Sequence, residues 1–143
     1  MRPPGAAAST NASKPVPASL TDLAECDVIL SRERPGVIGI LLNDDQGHSE
    51  QVSIRPAIRT SDFAAALRLT LAGAGIGHLP SFIAARSVEA GLLVRILKPW
   101  ATTGGALRAV SLAGRELPAR VRLFREHVRT QITTKFFINS GQC

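Results

Sequence analysis

Glycines at three alternate positions, then a histidine and a proline, mark "TLAGAGIGHLPSFIAA" (residues 70–85) as a stretch whose residue types could do chemistry. Two chemistries use such groups: a glycine-rich cradle for phosphate, and a histidine base beside a nucleophile. A dinucleotide fingerprint sets its glycines between a strand and the helix that follows, so that the helix N-terminus faces the pyrophosphate. Here Gly73, Gly75 and Gly77 follow a helical pattern and precede a strand-like one. The order is reversed, and the phosphate reading falls. Gly73 or Gly75 instead closes the helix, and Gly77 sits in a crowded strand. His78 has no nucleophile and no orienting acid beside it in sequence, and Ser81 serves as a helix cap. No catalytic residue, no enzyme activity and no cofactor are expected. Cys26 and Cys143 are too few for a metal framework and read as free thiols in a reducing cytoplasm.

A second group is "IRTSDF" (residues 58–63). A helix starting at Ser61 leaves free amides at its positive end, which makes an anion site. Thr60 and Ser61 add hydroxyls there, and Arg59 adds charge. The plainer alternative is that Ser61 only caps its own helix.

Positioning these groups falls to the surrounding elements. "PASLTDLAECDVILSR" reads as a helical turn with Thr21 as N-cap, then a short apolar strand. The apolar run at residues 37–42, the turn-rich "NDDQGHSE" and the alternating "QVSIRPAIR" form a hairpin, with Pro56 at an edge or bulge. "TSDFAAALRLTLAGAG" is a helix capped by Ser61 or Thr60, with Phe63, Leu67 and Leu71 on one face. "IGHLP" is a strand, "SFIAARSVEAG" a helix capped by Ser81 and stopped by Gly91, and "LLVRIL" a strand. "ALRAVSLA" is a further strand. "LPARVRLFREHVRTQI" is a last helix with an apolar face of Leu117, Val121, Phe124, Val128 and Ile132 and an arginine face of Arg122, Arg125 and Arg129. Helices alternating with short strands predict an α/β fold with a mixed, mostly parallel sheet.

At 143 residues, 45% of them apolar, the chain has room for one modest domain. No run approaches the roughly 18–20 apolar residues of a membrane span. The net charge is +6, nearly all from arginines spread along the chain with no interleaved aromatics, which describes solvated faces better than a nucleic-acid stripe. The opening "MRPPGAAASTNASKP" has no continuous apolar core for a secretory signal and reads as a disordered, low-complexity N-terminus over residues 1–15.

Several stretches together carry a resemblance. "TSDFAAALRLTLAGAGIGHLPSFIAARSVEAGLLVRIL" resembles the effector-binding domain of LysR-type transcriptional regulators, with its "AGxGIxxLP" connector at residues 71–80 and its "GxLVRxL" at residues 91–97. "LPARVRLFREHV" is similar to that family's "LPxRVRxFxxxL", and "LTDLAECDVI" to its "DLxxHxCI". The order and spacing agree over residues 16–132, with residues 133–143 a tail unlike the family. Ile38 stands where the family commonly has tryptophan.

The resemblance implies a partial periplasmic-binding-protein-like fold: the second of two α/β subdomains plus the return segment, without the winged helix-turn-helix and without the first subdomain. It implies the effector-sensing portion of a regulator. The alternatives are a solute-binding-protein-like module or a non-functional gene fragment. It also implies ligand contacts from Arg59, Thr60 and Ser61 and from the strand end at Gly77 and His78, with a small organic acid as effector. No direct specific DNA binding by this chain and no membrane partner are expected. Self-association is expected through the uncovered apolar face of the last helix.

Overall fold

A computed structural model of the chain describes residues 6–31, 35–104 and 118–137. The chain forms two compact units, one of them Gly5–Thr103 and the other including Gly104–Cys143. The first unit contains β1 (Ala6–Asn11), α1 (Leu20–Ala24), β2 (Val28–Ser31), β3 (Ile38–Asn43), β4 (Ser49–Ile54), β5 (Ile58–Thr60), α2 (Phe63–Leu71), β6 (Ile76–Pro80), α3 (Ser81–Glu89) and β7 (Leu93–Arg95). The second contains α4 (Ala119–Phe137).

Five strands form one sheet in the order β5-β2-β6-β1-β7, and β3 and β4 form a separate antiparallel hairpin. β2 is parallel to both β5 and β6. β1 is antiparallel to β6 and to β7, so β2, β5, β6 and β7 all run one way. The mixed, mostly parallel α/β sheet expected from the sequence is therefore present.

Alternation within the strands divides the core into two layers. Val28 and Leu30 of β2 pack with Ala8, Ile76 and Ile96 against α1 and the hairpin residues Ile40, Leu42, Val52 and Ile54. Ile29, between them in sequence, points to the other face and packs with Leu79, Leu93, Ala66 of α2 and Ala84 of α3. A strand covered on both faces needs apolar residues at successive positions, which is why "VIL" is unbroken.

The N-terminal stretch differs from the expectation of disorder. Residues 6–11 form β1 inside the sheet, with Ala7, Ala8, Ser9 and Thr10 all buried. Small residues suit a strand squeezed between two neighbours and covered on both faces, and their low hydropathy hid it. Helix caps also shift. The N-cap of α1 is Ser19, in a reciprocal capping box with Asp22, and Thr21 lies inside the helix. α2 is capped by Asp62, whose carboxylate accepts from Ala65 N at 2.8 Å, so Ser61 and Thr60 are outside it. Ser81 is the first residue of α3, and the N-cap position is Pro80. The buried face of α2 is Ala66 and Thr70, while Phe63 is exposed. Pro56 separates β4 from β5 and lies in neither strand. Gly73 and Gly91 close α2 and α3 with positive φ, as expected of glycine after a helix.

The strand expected at residues 106–113, and Leu117, lie outside the described residues. α4 continues past the helix end expected at residue 132, to Phe137. Val121, Val128 and Ile132 are half-buried, whereas Phe124 and Leu123 are exposed.

Candidate functional site

The parallel strands β5, β2 and β6 end along one edge of the sheet. Ser31 at the end of β2 is in register with Thr60 at the end of β5. β6 ends at Pro80 on the other side of β2, and Pro80 is in register with Ala6 at the start of β1. The chain then diverges. From β2 it passes to the hairpin on one face of the sheet; from β5 and β6 it passes to α2 and α3 on the other. Where connections from adjacent parallel strands part to opposite faces, a crevice opens outside their carboxyl ends, and this is where ligands of open α/β sheets bind. The N-termini of α2 and α3 both begin at this edge and bring their positive dipole ends to it. Ser31, Thr60, Ser61 and Ser81 supply hydroxyls.

The sequence-derived residues separate into two groups. Thr60 and Ser61 are at the edge. Thr60 is half-buried and its hydroxyl donates to Asp62 O at 2.8 Å, while Ser61 is exposed. Arg59 is exposed, on the face of its in-register neighbour Leu30, which packs under the hairpin. His78, in register with Ala8, lines an apolar recess on that same face with Ile40, Leu42, Ile54, Leu97 and Trp100. Gly77 faces the opposite way, and a Cβ there would collide with Thr70 Oγ1 of α2. Gly77 is thus a packing glycine. The structure brings Thr60 and Ser61 together at the edge, sets Arg59 and His78 on one face, and removes Gly77 beneath a helix.

Asp62 and Ser31 were missed in the sequence. Asp62 matters most, because its carboxylate occupies one of the α2 amides and puts a negative charge where an anion would approach. A Ser-Asp pair directly before an apolar helical run carried the signal, since Asp caps as well as Ser does. Asp62→Ala is expected to lower folding stability by about 1 kcal/mol, and Ser61→Ala by less than about 0.5 kcal/mol. Urea titrations of the two variants check this; equal effects would return the cap to Ser61.

Cys26 is half-buried, and its thiol donates to Asp22 O at 3.2 Å. Burial, with the nearby carboxylates of Asp22, Asp27 and Glu25, pushes the thiol pKa up and keeps it protonated, a poor nucleophile. Among the described residues no cluster of His, Cys, Asp and Glu could hold a metal ion. No helix among them is long and apolar enough to cross a membrane.

Comparison with known proteins agrees with this architecture. The family model described as LysR substrate binding domain matches residues 3–133. The HTH-type transcriptional regulator PtxR of Pseudomonas aeruginosa is 34% identical over 111 residues, which cover 78% of this chain and 35% of that regulator. This chain thus spans about a third of that relative's length. Among solved structures, the regulatory domain of AphB from Vibrio vulnificus superposes with a TM-score of 0.66 at 18% identity, over 92% of this chain and 66% of that one. The regulatory domain of CrgA from Neisseria meningitidis gives 0.62 at 19% identity, over 90% and 64%. At such identities the likeness is one of fold, and the fold is that of regulatory domains built like periplasmic binding proteins.

Proposed function

The chain belongs to the LysR substrate-binding domain family, and from that premise we propose that it is the small-molecule effector-sensing portion of a LysR-family transcriptional regulator, a cytoplasmic protein without enzyme activity. One observation carries the placement of the site: the connections leaving β2, β5 and β6 part at the carboxyl edge, where Ser31 and Thr60 stand in register. Two helix N-termini and a row of hydroxyls suit a small organic acid or a polar aromatic acid. Arg59 adds long-range attraction. The Asp62 carboxylate argues that the anion meets Thr60, Ser61 and the start of α3, away from the capped amide of Ala65. His78 is a donor for a ligand that reaches over the hairpin face. Direct, specific DNA binding is not assigned to this chain, whose arginines form no aromatic-interleaved stripe. The exposed Phe124 and Leu123 of α4 support self-association.

The test is an amide NMR titration of the protein with a panel of small carboxylates, succinate and benzoate among them. Shifts are expected to cluster at residues 31, 59–63 and 78–81. A cluster confined to other parts of the sheet unit would move the site.

A further inference from the structure

The segment after β7 crosses the apolar recess and is tied down on its far side by Asn43, through its backbone and its side chain. Leu97 and Trp100 both line the recess, with Ile40, Leu42 and Ile54 of the hairpin and Ile76 of the sheet. Leu97 has φ 53°, a left-handed conformation that a γ-branched residue holds only under constraint from its surroundings. Beyond Leu97 the segment is held by Asn43, the last residue of β3. Its backbone exchanges two hydrogen bonds with Ala101, of 2.8 and 3.0 Å. Its side-chain Nδ2 donates to Thr103 Oγ1 at 3.0 Å, and its Oδ1 accepts from Ser49 Oγ at 2.6 Å. The next residue, Asp44, closes the hairpin turn. Asp44 Oδ1 accepts from the backbone N–H groups of Gln46 and His48, and Oδ2 lies 2.7 Å from His48 Nδ1.

We propose that residues 97–103 are a strap over the apolar recess, latched to the hairpin by Asn43, and that the Asp44–His48 pair in the adjoining turn sets how firmly the latch holds. Of the residues proposed for the effector site, only His78 also lines the recess, so the strap is tested apart from that reading. Release of Ala101 and Thr103 would free Leu97 from its left-handed conformation and lift Trp100 from the recess, opening an apolar surface with His78 at its side.

The hydrogen bond and charge of Asp44 raise the pKa of His48 above its ordinary value. At Asp44, burial acts upward but is outweighed by the hydrogen bonds from His48 and Gln46, which leave its carboxyl pKa lowered. The pair therefore supports the turn while His48 is protonated, and that support is lost as the pH rises through the raised imidazole pKa. The other charged groups on the surrounding elements are Asp45 in the turn, Glu50 on β4, Asp22 on α1, which packs against β4, Glu25 at the C-cap of α1, and Lys98 in the strap. Segment 101–103 carries no charge. Among all these groups only Asp44 bonds to the imidazole, and its hydrogen bond and charge favour the protonated His48.

Trp100, the only tryptophan in the chain, reports on the strap. Acrylamide quenching of its fluorescence is measured from mildly acidic to mildly alkaline pH. Quenching is expected to increase as His48 deprotonates, through a shift of about two- to fivefold in strap opening, the size of effect that an exposed pair exerts. His48→Gln should remove the pH dependence, and Asn43→Ala should quench strongly at every pH. Should Asn43→Ala fail to fold by far-UV circular dichroism, Thr103→Val removes one latch bond alone and should raise quenching with an unchanged spectrum. A pH dependence that survives His48→Gln would overturn the role of the turn. Latch variants that fold and quench like the wild type would overturn the strap.

Discussion

Gly77→Ala is expected to cost about 2–3 kcal/mol of folding stability, a large share of what so small a domain has. A methyl group on Gly77 would collide with Thr70 Oγ1 and sit 3.2 Å from Cγ and Cδ1 of Leu79. Neither neighbour can retreat easily. Thr70 is fully buried, and its hydroxyl is held by donation to Ala66 O at 2.8 Å. Leu79 is itself packed in the core between the sheet and the helices. Relief would come only by lifting α2 off β6. Thr70→Ala removes the offending oxygen, so the double variant should recover at least about 1 kcal/mol relative to the sum of the two single changes, the mark of direct contact. Gly75→Ala should behave differently. There the added carbon would lie 2.5 Å from the backbone oxygen of Asp27, which no side-chain change can remove. Urea denaturation of the wild type and the four variants decides the matter, and a Gly77→Ala variant as stable as the wild type would mean that α2 does not approach β6 so closely.

The crowding of Gly77 was legible in the sequence; its cause was not. Alternate glycines before "HLP" announced that the backbone is approached closely, but only the structure shows that α2 does the approaching. The general pattern was legible because it rests on strong signals. "VIL", "IGHLP" and "LLVRIL" are apolar runs too short for helices, and the last two each follow a helical repeat closed by a glycine. Burial of β2 and β6 on both faces follows from α1 and the hairpin packed on one side of the sheet and α2 and α3 on the other, whereas β7, at the edge, leaves Val94 exposed. Cap positions were misjudged by one or two residues, because Ser, Thr and Asp stand side by side at residues 19–22 and 60–62 and compete on nearly equal terms. The edge that holds the candidate site was only partly legible. Thr60 and Ser61 could be placed at a helix start, but strand order is non-local, and nothing in the sequence put Ser31 beside Thr60. Strand alternation, once the register is known, is what divides Gly77 from His78.

The same non-local pairing underlies the second large effect. β1 reads as a polar, alanine-rich tail, yet it lies between β6 and β7 and pairs with both. If residues 1–11 were a tail, their removal would change stability by a few tenths of a kcal/mol. As an interior strand, their removal leaves β6 and β7 each with an uncovered ladder, and each buried amide or carbonyl left without a partner costs about 1–3 kcal/mol. It also opens both core layers where Ala7 and Ala8 fill them. A chain beginning at Ala12 is therefore expected not to fold at all, since a domain of this size has only about 5–15 kcal/mol to lose. Thr10→Pro makes the same point with one residue. Thr10 is 2% exposed and in register with Val94, and proline there removes a ladder donor and cannot be accommodated in a central strand. Its loss should be about 3 kcal/mol or more, whereas Lys14→Ala, just beyond the strand and exposed, should stay within about 0.5 kcal/mol of the wild type. Far-UV circular dichroism and thermal melting of the three variants give the answer. A folded chain beginning at Ala12, or a Thr10→Pro variant that melts with the wild type, would remove β1 from the sheet and leave β6 to find its neighbour elsewhere.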